Sequence, residues 1–134
     1  MTITVVNYTG NRNNWGSQAT SAELLKQLEE VCGAVSFHLV PLRKSRTIDG
    51  YVGKVFGSRI IKALANSTAQ GDRLLLRMSR LLFAEDFDRA MESDCVVFQP
   101  EGTMDGLKFS SGARLLLLPT ALSAAKKQVL CLNG

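Results

Sequence analysis

The stretch that decides the fold reads Ile3-Thr4-Val5-Val6-Asn7-Tyr8-Thr9-Gly10-Asn11-Arg12-Asn13-Asn14-Trp15-Gly16-Ser17-Gln18-Ala19-Thr20-Ser21-Ala22-Glu23. A short β-branched run reads as a buried strand, a polar stretch from Asn7 to Gly16 follows, and an amphipathic helix takes over. That helix, expected from about Ser17 to Val31, carries Leu24, Leu25, Leu28 and Val31 on one stripe. Thr20-Ser21-Ala22-Glu23 fits a capping box, and Ser17 is the alternative cap, which would bring Gly16 and Ser17 to the helix mouth. Free N–H groups at such a mouth attract phosphates and carboxylates, so a ligand is expected at this loop. A plain strand-to-helix turn competes with that reading; it is weakened by a ten-residue connection where about two to six residues are usual.

A second strand, Ala34 to Val40, is closed by Pro41 and completes a β-α-β unit. Its strands should be parallel neighbours joined by a right-handed crossover, with their loops at the carboxyl edge of the sheet. Gly50, Gly53 and Gly57 interrupt the next segment, which predicts a helix from Lys54 or Ser58 to Ala65. Further helices are expected over Asp72 to Phe83 and Glu85 to Ser93, and a doubly buried strand over Asp94 to Phe98. A second carboxyl-edge loop spans Gln99 to Gly106, followed by a helix from Ser111 to Lys127 kinked at Pro119 and a strand from Val129 to Leu132. This alternation predicts an α/β fold, a Rossmann-like three-layer α/β/α arrangement with a mostly parallel sheet, in one domain over residues 1–134. The last strand is built for burial just before Asn133-Gly134, so we expect a truncated domain, covered there by a missing C-terminal half or by self-association.

With 46% hydrophobic and 21% charged residues the chain has material for a real core. No apolar run approaches the roughly 20 residues a bilayer span needs, and no leader pattern precedes the first strand, which predicts a cytoplasmic protein. Cys32, Cys95 and Cys131 lack metal or redox spacing and are expected as reduced core thiols. The single histidine, His38, reads as a packed strand residue, so no metal site is expected. The formal charge of +4 is uneven, because residues 43–80 carry nine Lys or Arg against Asp49 and Asp72. Within that segment Arg73, Arg77 and Arg80 form a basic patch, which is either a solvated helix face or a contact for phosphates or anionic lipid headgroups. Only Tyr51 and Phe56 interleave with the bases, and no nucleic-acid motif is present, so a nucleic-acid partner is not expected. Neither G-x-G-x-x-G nor a phosphate-loop motif occurs, which argues against dinucleotide or P-loop nucleotide binding.

Two loops together carry a family resemblance. Asn14-Trp15-Gly16-Ser17-Gln18-Ala19-Thr20, and Asp94-Cys95-Val96-Val97-Phe98-Gln99-Pro100-Glu101-Gly102-Thr103, are similar in order and spacing to those of the polysaccharide pyruvyl transferase family. Leu115-Leu116-Leu117-Leu118-Pro119 and the final strand resemble it as well, while Pro100 stands where the family usually has glycine. The resemblance covers nearly the whole chain but only the N-terminal half of a family member, whose fold is a GT-B-like pair of Rossmann-like lobes. It implies transfer of the enolpyruvyl group of phosphoenolpyruvate to a sugar of a cell-surface polysaccharide precursor, with no other cofactor. In such a reaction two sugar hydroxyls add to the enol carbon, the methylene carbon takes up a proton, and phosphate leaves.

The arginines and histidine usually given the phosphoenolpyruvate role lie in the family's other half, and His38 does not match them. What the resemblance implies here is an acceptor-side cleft wall, inactive alone: Asn14, Gly16, Ser17 and Gln18 from the first loop, and Gly102 and Thr103 from the second. Glu101 is the implied proton acceptor or hydroxyl clamp. The implied partners are a sugar or lipid-linked saccharide and a peripheral contact with the inner membrane face. A GT-B-like glycosyltransferase lobe and a non-catalytic α/β binding module remain the alternatives, because fold alone does not fix chemistry.

Overall fold

The computed structural model describes residues 1–11, 13–42, 46–100 and 109–132. Four parallel strands form one sheet in the order β2-β1-β3-β4: β1 (Thr2–Tyr8), β2 (Ser36–Pro41), β3 (Cys95–Phe98) and β4 (Val129–Cys131). In register, Val5 stands between Leu39 and Val97, and Val97 between Val5 and Leu130. The chain is Rossmann-like α/β, as the alternating pattern predicts.

Alternation within the strands sorts the core into two halves. Ile3, Val5, Cys95 and Val97 face α1 (Trp15–Cys32), which lays Leu24, Leu25 and Leu28 against them. Val6, Val40, Val96 and Phe98 face the other way. They meet helices α2 (Thr47–Ala65), α3 (Ala69–Leu82), α4 (Ala84–Glu92) and α5 (Arg114–Ala124). β3 is buried along its whole length, as a strand covered on both faces must be. Each fully buried Val there contributes up to about 1.5–3 kcal/mol of transfer free energy.

Several boundaries differ from the sequence reading, each for a physical reason. Helix α1 starts at Trp15, because the Asn14 side chain caps it by accepting from Gly16 N (3.0 Å) and Ser17 N (3.4 Å). The expected capping box therefore lies inside the helix, where Thr20 Oγ1 instead donates to Gly16 O (2.9 Å). Helix α2 runs straight through Gly50, Gly53 and Gly57. A Cβ on Gly53 would stand 2.6 Å from the Phe109 ring, and one on Gly57 would stand 3.5 Å from Phe109 Cβ. Gly53 and Gly57 thus seat an aromatic side chain on the helix rather than break it, while Gly50 faces open space. Helix α3 starts at Ala69, earlier than expected, since Thr68 Oγ1 accepts from Gly71 N at 3.0 Å. The last helix is split, with a π-helical turn at Phe109–Ala113 leading into α5, which contains Pro119 and ends at Ala124.

Of the three cysteines only Cys95 is a core thiol. Cys32, at the last turn of α1, and Cys131, on β4, are exposed, and all three are free. Helix ends and edge strands cover side chains poorly, which is why apolar flanks misplaced these two. His38 is a half-buried β2 residue as expected, with Nε2 3.3 Å from Asp86 Oδ1 of α4. That nitrogen makes no aligned hydrogen bond among the described residues, so the contact is one of distance only. No helix among the described residues is long and apolar enough to cross a membrane.

Candidate functional site

The chain leaves β1 for β2 on one side and reaches β3 on the other, so the strand order reverses at the carboxyl ends of β1 and β3. Divergence of the loops at such a point opens a crevice, the usual ligand position in open α/β sheets. Polar side chains collect there just where the apolar strand runs stop. Asn7, Thr9, Ser17, Ser21 and Gln99 are all buried.

Asn7 is the centre of this group. The pairing of β1 with β2 slips between Val6 and Tyr8, and Asn7 in the resulting bulge takes φ +66°. A left-handed bulge residue re-aims its side chain, and asparagine tolerates that conformation better than most. Asn7 Nδ2 donates to Gln99 O at 2.5 Å, and Gln99 N donates to Val6 O at 3.0 Å, so the two strand tips are tied twice. Asn7 Oδ1 is buried and has no hydrogen-bond partner among the described residues. An orphaned buried acceptor costs roughly 1–3 kcal/mol and calls for an explanation. On the α1 side, Ser21 Oγ lies 3.1 Å from Thr9 Oγ1 and donates to Gln99 Oε1 at 3.4 Å.

On the opposite side of the strand tips lies an open depression of about 310 Å³, walled by Val6, Val40, Leu42, Phe83, Leu115 and Leu118, with Asn7 and Arg114 as polar members. Arg114 is held by the buried Asp49 (Nη1 to Oδ2, 3.5 Å), which also accepts from Arg46 N at 2.8 Å. This carboxylate is engaged in fixing α2 to α5. The crevice therefore offers neutral oxygens and amides on one flank and an apolar wall with one paired cation on the other. Neutral donors and acceptors suit sugar hydroxyls, whereas proton transfer needs a further ionisable group.

The structure gathers some of the expected site residues and separates others. Of the first-loop set, Ser17 alone turns inward. Asn14, Gly16 and Gln18 are exposed, and the Asn14 cap already satisfies two of the helix-mouth N–H groups that an anion was expected to use. The first connection is also shorter than expected, Thr9 to Asn14, because β1 extends to Tyr8 and α1 starts at Trp15. A Cβ on Gly10 would stand 2.2 Å from the Tyr8 hydroxyl oxygen, so a side chain there would have to displace the Tyr8 ring. Glu101, Gly102 and Thr103 lie outside the described residues; β3, which precedes them in sequence, is the parallel neighbour of β1. Arg73, Arg77 and Arg80 are exposed on α3, with Arg80 5.2 Å from the centroid of the Phe87 ring.

Asn7, Thr9, Ser21 and Gln99 are not among the individual site residues that the sequence predicts. The available signal was a polar residue directly after each buried apolar run, at Val6-Asn7 and Phe98-Gln99. Among the described residues no group of three His, Cys, Asp or Glu side chains is placed to hold a metal ion. Comparison of the chain with protein-family models, with curated proteins and with solved structures returned no match.

Proposed function

We propose that this domain is the acceptor-side lobe of a polysaccharide pyruvyl transferase, binding the hydroxyls of a saccharide precursor in the crevice between the tips of β1 and β3. The observation that carries the proposal is the buried Asn7 Oδ1, an acceptor without a donor at a strand-order reversal. A sugar hydroxyl would supply that donor, beside the buried neutral cluster of Ser21, Thr9 and Gln99. Glu101, two residues beyond Gln99, is the group we assign to take up a hydroxyl proton. Cations for phosphoenolpyruvate would come from a second lobe, because Arg114 is committed to Asp49. The reading carries a cytoplasmic location at the inner membrane face, where a lipid-linked acceptor is met.

Calorimetric titration with a panel of sugar diphosphates and with phosphoenolpyruvate tests it. A sugar diphosphate should bind, phosphoenolpyruvate alone should not, and Asn7→Gly should weaken the sugar tenfold or more, the equivalent of about 1.4 kcal/mol. Combination with a C-terminal lobe should then release phosphate from phosphoenolpyruvate only when acceptor is present. Consumption of a nucleotide-sugar donor instead would move the assignment to a glycosyltransferase. Saccharide binding without turnover in any combination would leave a binding module.

A further inference from the structure

Helices α2 and α3 form a hairpin across the turn at residues 66–68, and Arg46 Nη2 donates to Leu82 O at 2.8 Å, which sets the first turn of α2 beside the last turn of α3. Its outward face combines two features that rarely coincide on a merely solvated surface. Ile48, Tyr51 and Val55 recur at i, i+3 and i+7 on α2 and are 38%, 65% and 47% exposed, while Leu81 near the end of α3 is 51% exposed. Six cations, Lys54, Arg59, Lys62, Arg73, Arg77 and Arg80, are exposed on the same two helices. None of them pairs with a carboxylate among the described residues, and the hairpin's acids are Asp49, buried against Arg114, and Asp72.

We propose that this hairpin face docks on an anionic lipid bilayer surface, with Ile48, Tyr51 and Val55 entering the headgroup boundary and the flanking cations meeting lipid phosphates. Unpaired cations bordering an exposed apolar stripe define an interfacial helix, the cations drawing it to negative headgroups and the apolar side chains gaining from burial there. Tyrosine is suited to that depth, with an apolar ring and a polar tip. A nucleic-acid partner fits less well, because Ile48, Val55 and Leu81 cannot stack on bases and Tyr51 is the one exposed aromatic on the hairpin among the described residues. The inference adds the membrane-contacting surface to the acceptor-lobe reading. It rests on that reading for its purpose and on its own residues for its existence.

Flotation with phosphatidylcholine vesicles, with and without phosphatidylglycerol, tests it in the absence of any saccharide, so failure here is separable from failure of acceptor binding. Binding should require phosphatidylglycerol and weaken as salt is raised. Lys62→Ala with Arg73→Ala and Arg77→Ala, which spares Arg80 on Phe87, should weaken it roughly a hundredfold at low salt, at about 1 kcal/mol per surface charge. Tyr51→Trp in a Trp15→Phe background should show a blue-shifted emission on the mixed vesicles; circular dichroism checks that each variant is folded. Undiminished vesicle binding by the folded triple variant would overturn the proposal. So would an unshifted emission from bound protein, or capture of a single-stranded oligonucleotide by a protein that ignores the vesicles.

Discussion

Replacing Asn7 separates its two burdens, the backbone strain and the orphaned acceptor. Asn7→Gly relieves roughly 1 kcal/mol of left-handed strain and removes a buried Oδ1 whose missing partner costs roughly 1–3 kcal/mol. Against this, Gln99 O loses the Nδ2 donor at 2.5 Å, again roughly 1–3 kcal/mol, and glycine adds about 0.5–1 kcal/mol of backbone entropy. The contributions nearly cancel, so Asn7→Gly should fall within about 1 kcal/mol of the parent, a midpoint shift of roughly 3–5 °C at most. Asn7→Ala makes the same deletions but keeps φ +66° on a side chain that tolerates it poorly; with glycine's entropy cost set against about 1–2 kcal/mol of strain, it should be roughly 0.5–1 kcal/mol less stable than Asn7→Gly. Thermal and urea unfolding of the two variants gives the difference directly, and calorimetry with a sugar diphosphate gives the binding loss. Equal stability of the alanine and glycine variants would refute the strain argument. A loss of 3 kcal/mol or more in Asn7→Gly, against the balance above, would show that Oδ1 serves the fold and not a ligand.

Gly53→Ala places a methyl group 2.6 Å from the Phe109 ring; overpacking of about 1–3 kcal/mol should outweigh the helix-propensity gain of about 1 kcal/mol, visible as a lowered urea midpoint. Asp49→Ala leaves Arg114 without its carboxylate in a buried setting and removes an acceptor from Arg46 N, for an expected loss of about 3–5 kcal/mol in chemical denaturation. Burial, reinforced by nearby Cys32, raises the Cys95 thiol above its ordinary range, so a thiol reagent at neutral pH should modify Cys32 and Cys131 first and Cys95 only on unfolding. Because the folded state favours the protonated thiol, that stabilisation is complete below the unfolded value near 8.5 and is lost as pH rises through the folded value. Unfolding midpoints measured from neutral to alkaline pH should therefore fall less steeply in Cys95→Ala than in the parent.

What the sequence made legible was periodicity. The apolar runs at Ile3-Thr4-Val5-Val6 and Cys95-Val96-Val97-Phe98 sit centrally in the sheet, and the crossover through α1 makes β1 and β2 parallel neighbours. What periodicity could not carry was any feature that depends on a distant partner. Gly53 and Gly57 look like breakers until Phe109 is placed on them, with more than fifty residues between in sequence. Asn14 looks like a ligand-facing loop residue until its side chain is seen capping the helix that follows. Asn7 and Gln99 are 92 positions apart, and their pairing exists only once the sheet has assembled. A free helix mouth would attract an anion, but the Asn14 cap satisfies two of its N–H groups.

The tie between Asn7 and Gln99 has a consequence for how such a domain can change. The two strand tips are fastened by groups within or beside the strands, so the outward positions of the first connection, such as Asn11 and Asn13, bear little of the sheet's integrity. Randomising those two while retaining Gly10 should yield a library whose members mostly keep the parental scaffold and differ in what they hold. Novelty in ligand choice can then be selected without first repairing the frame that displays it.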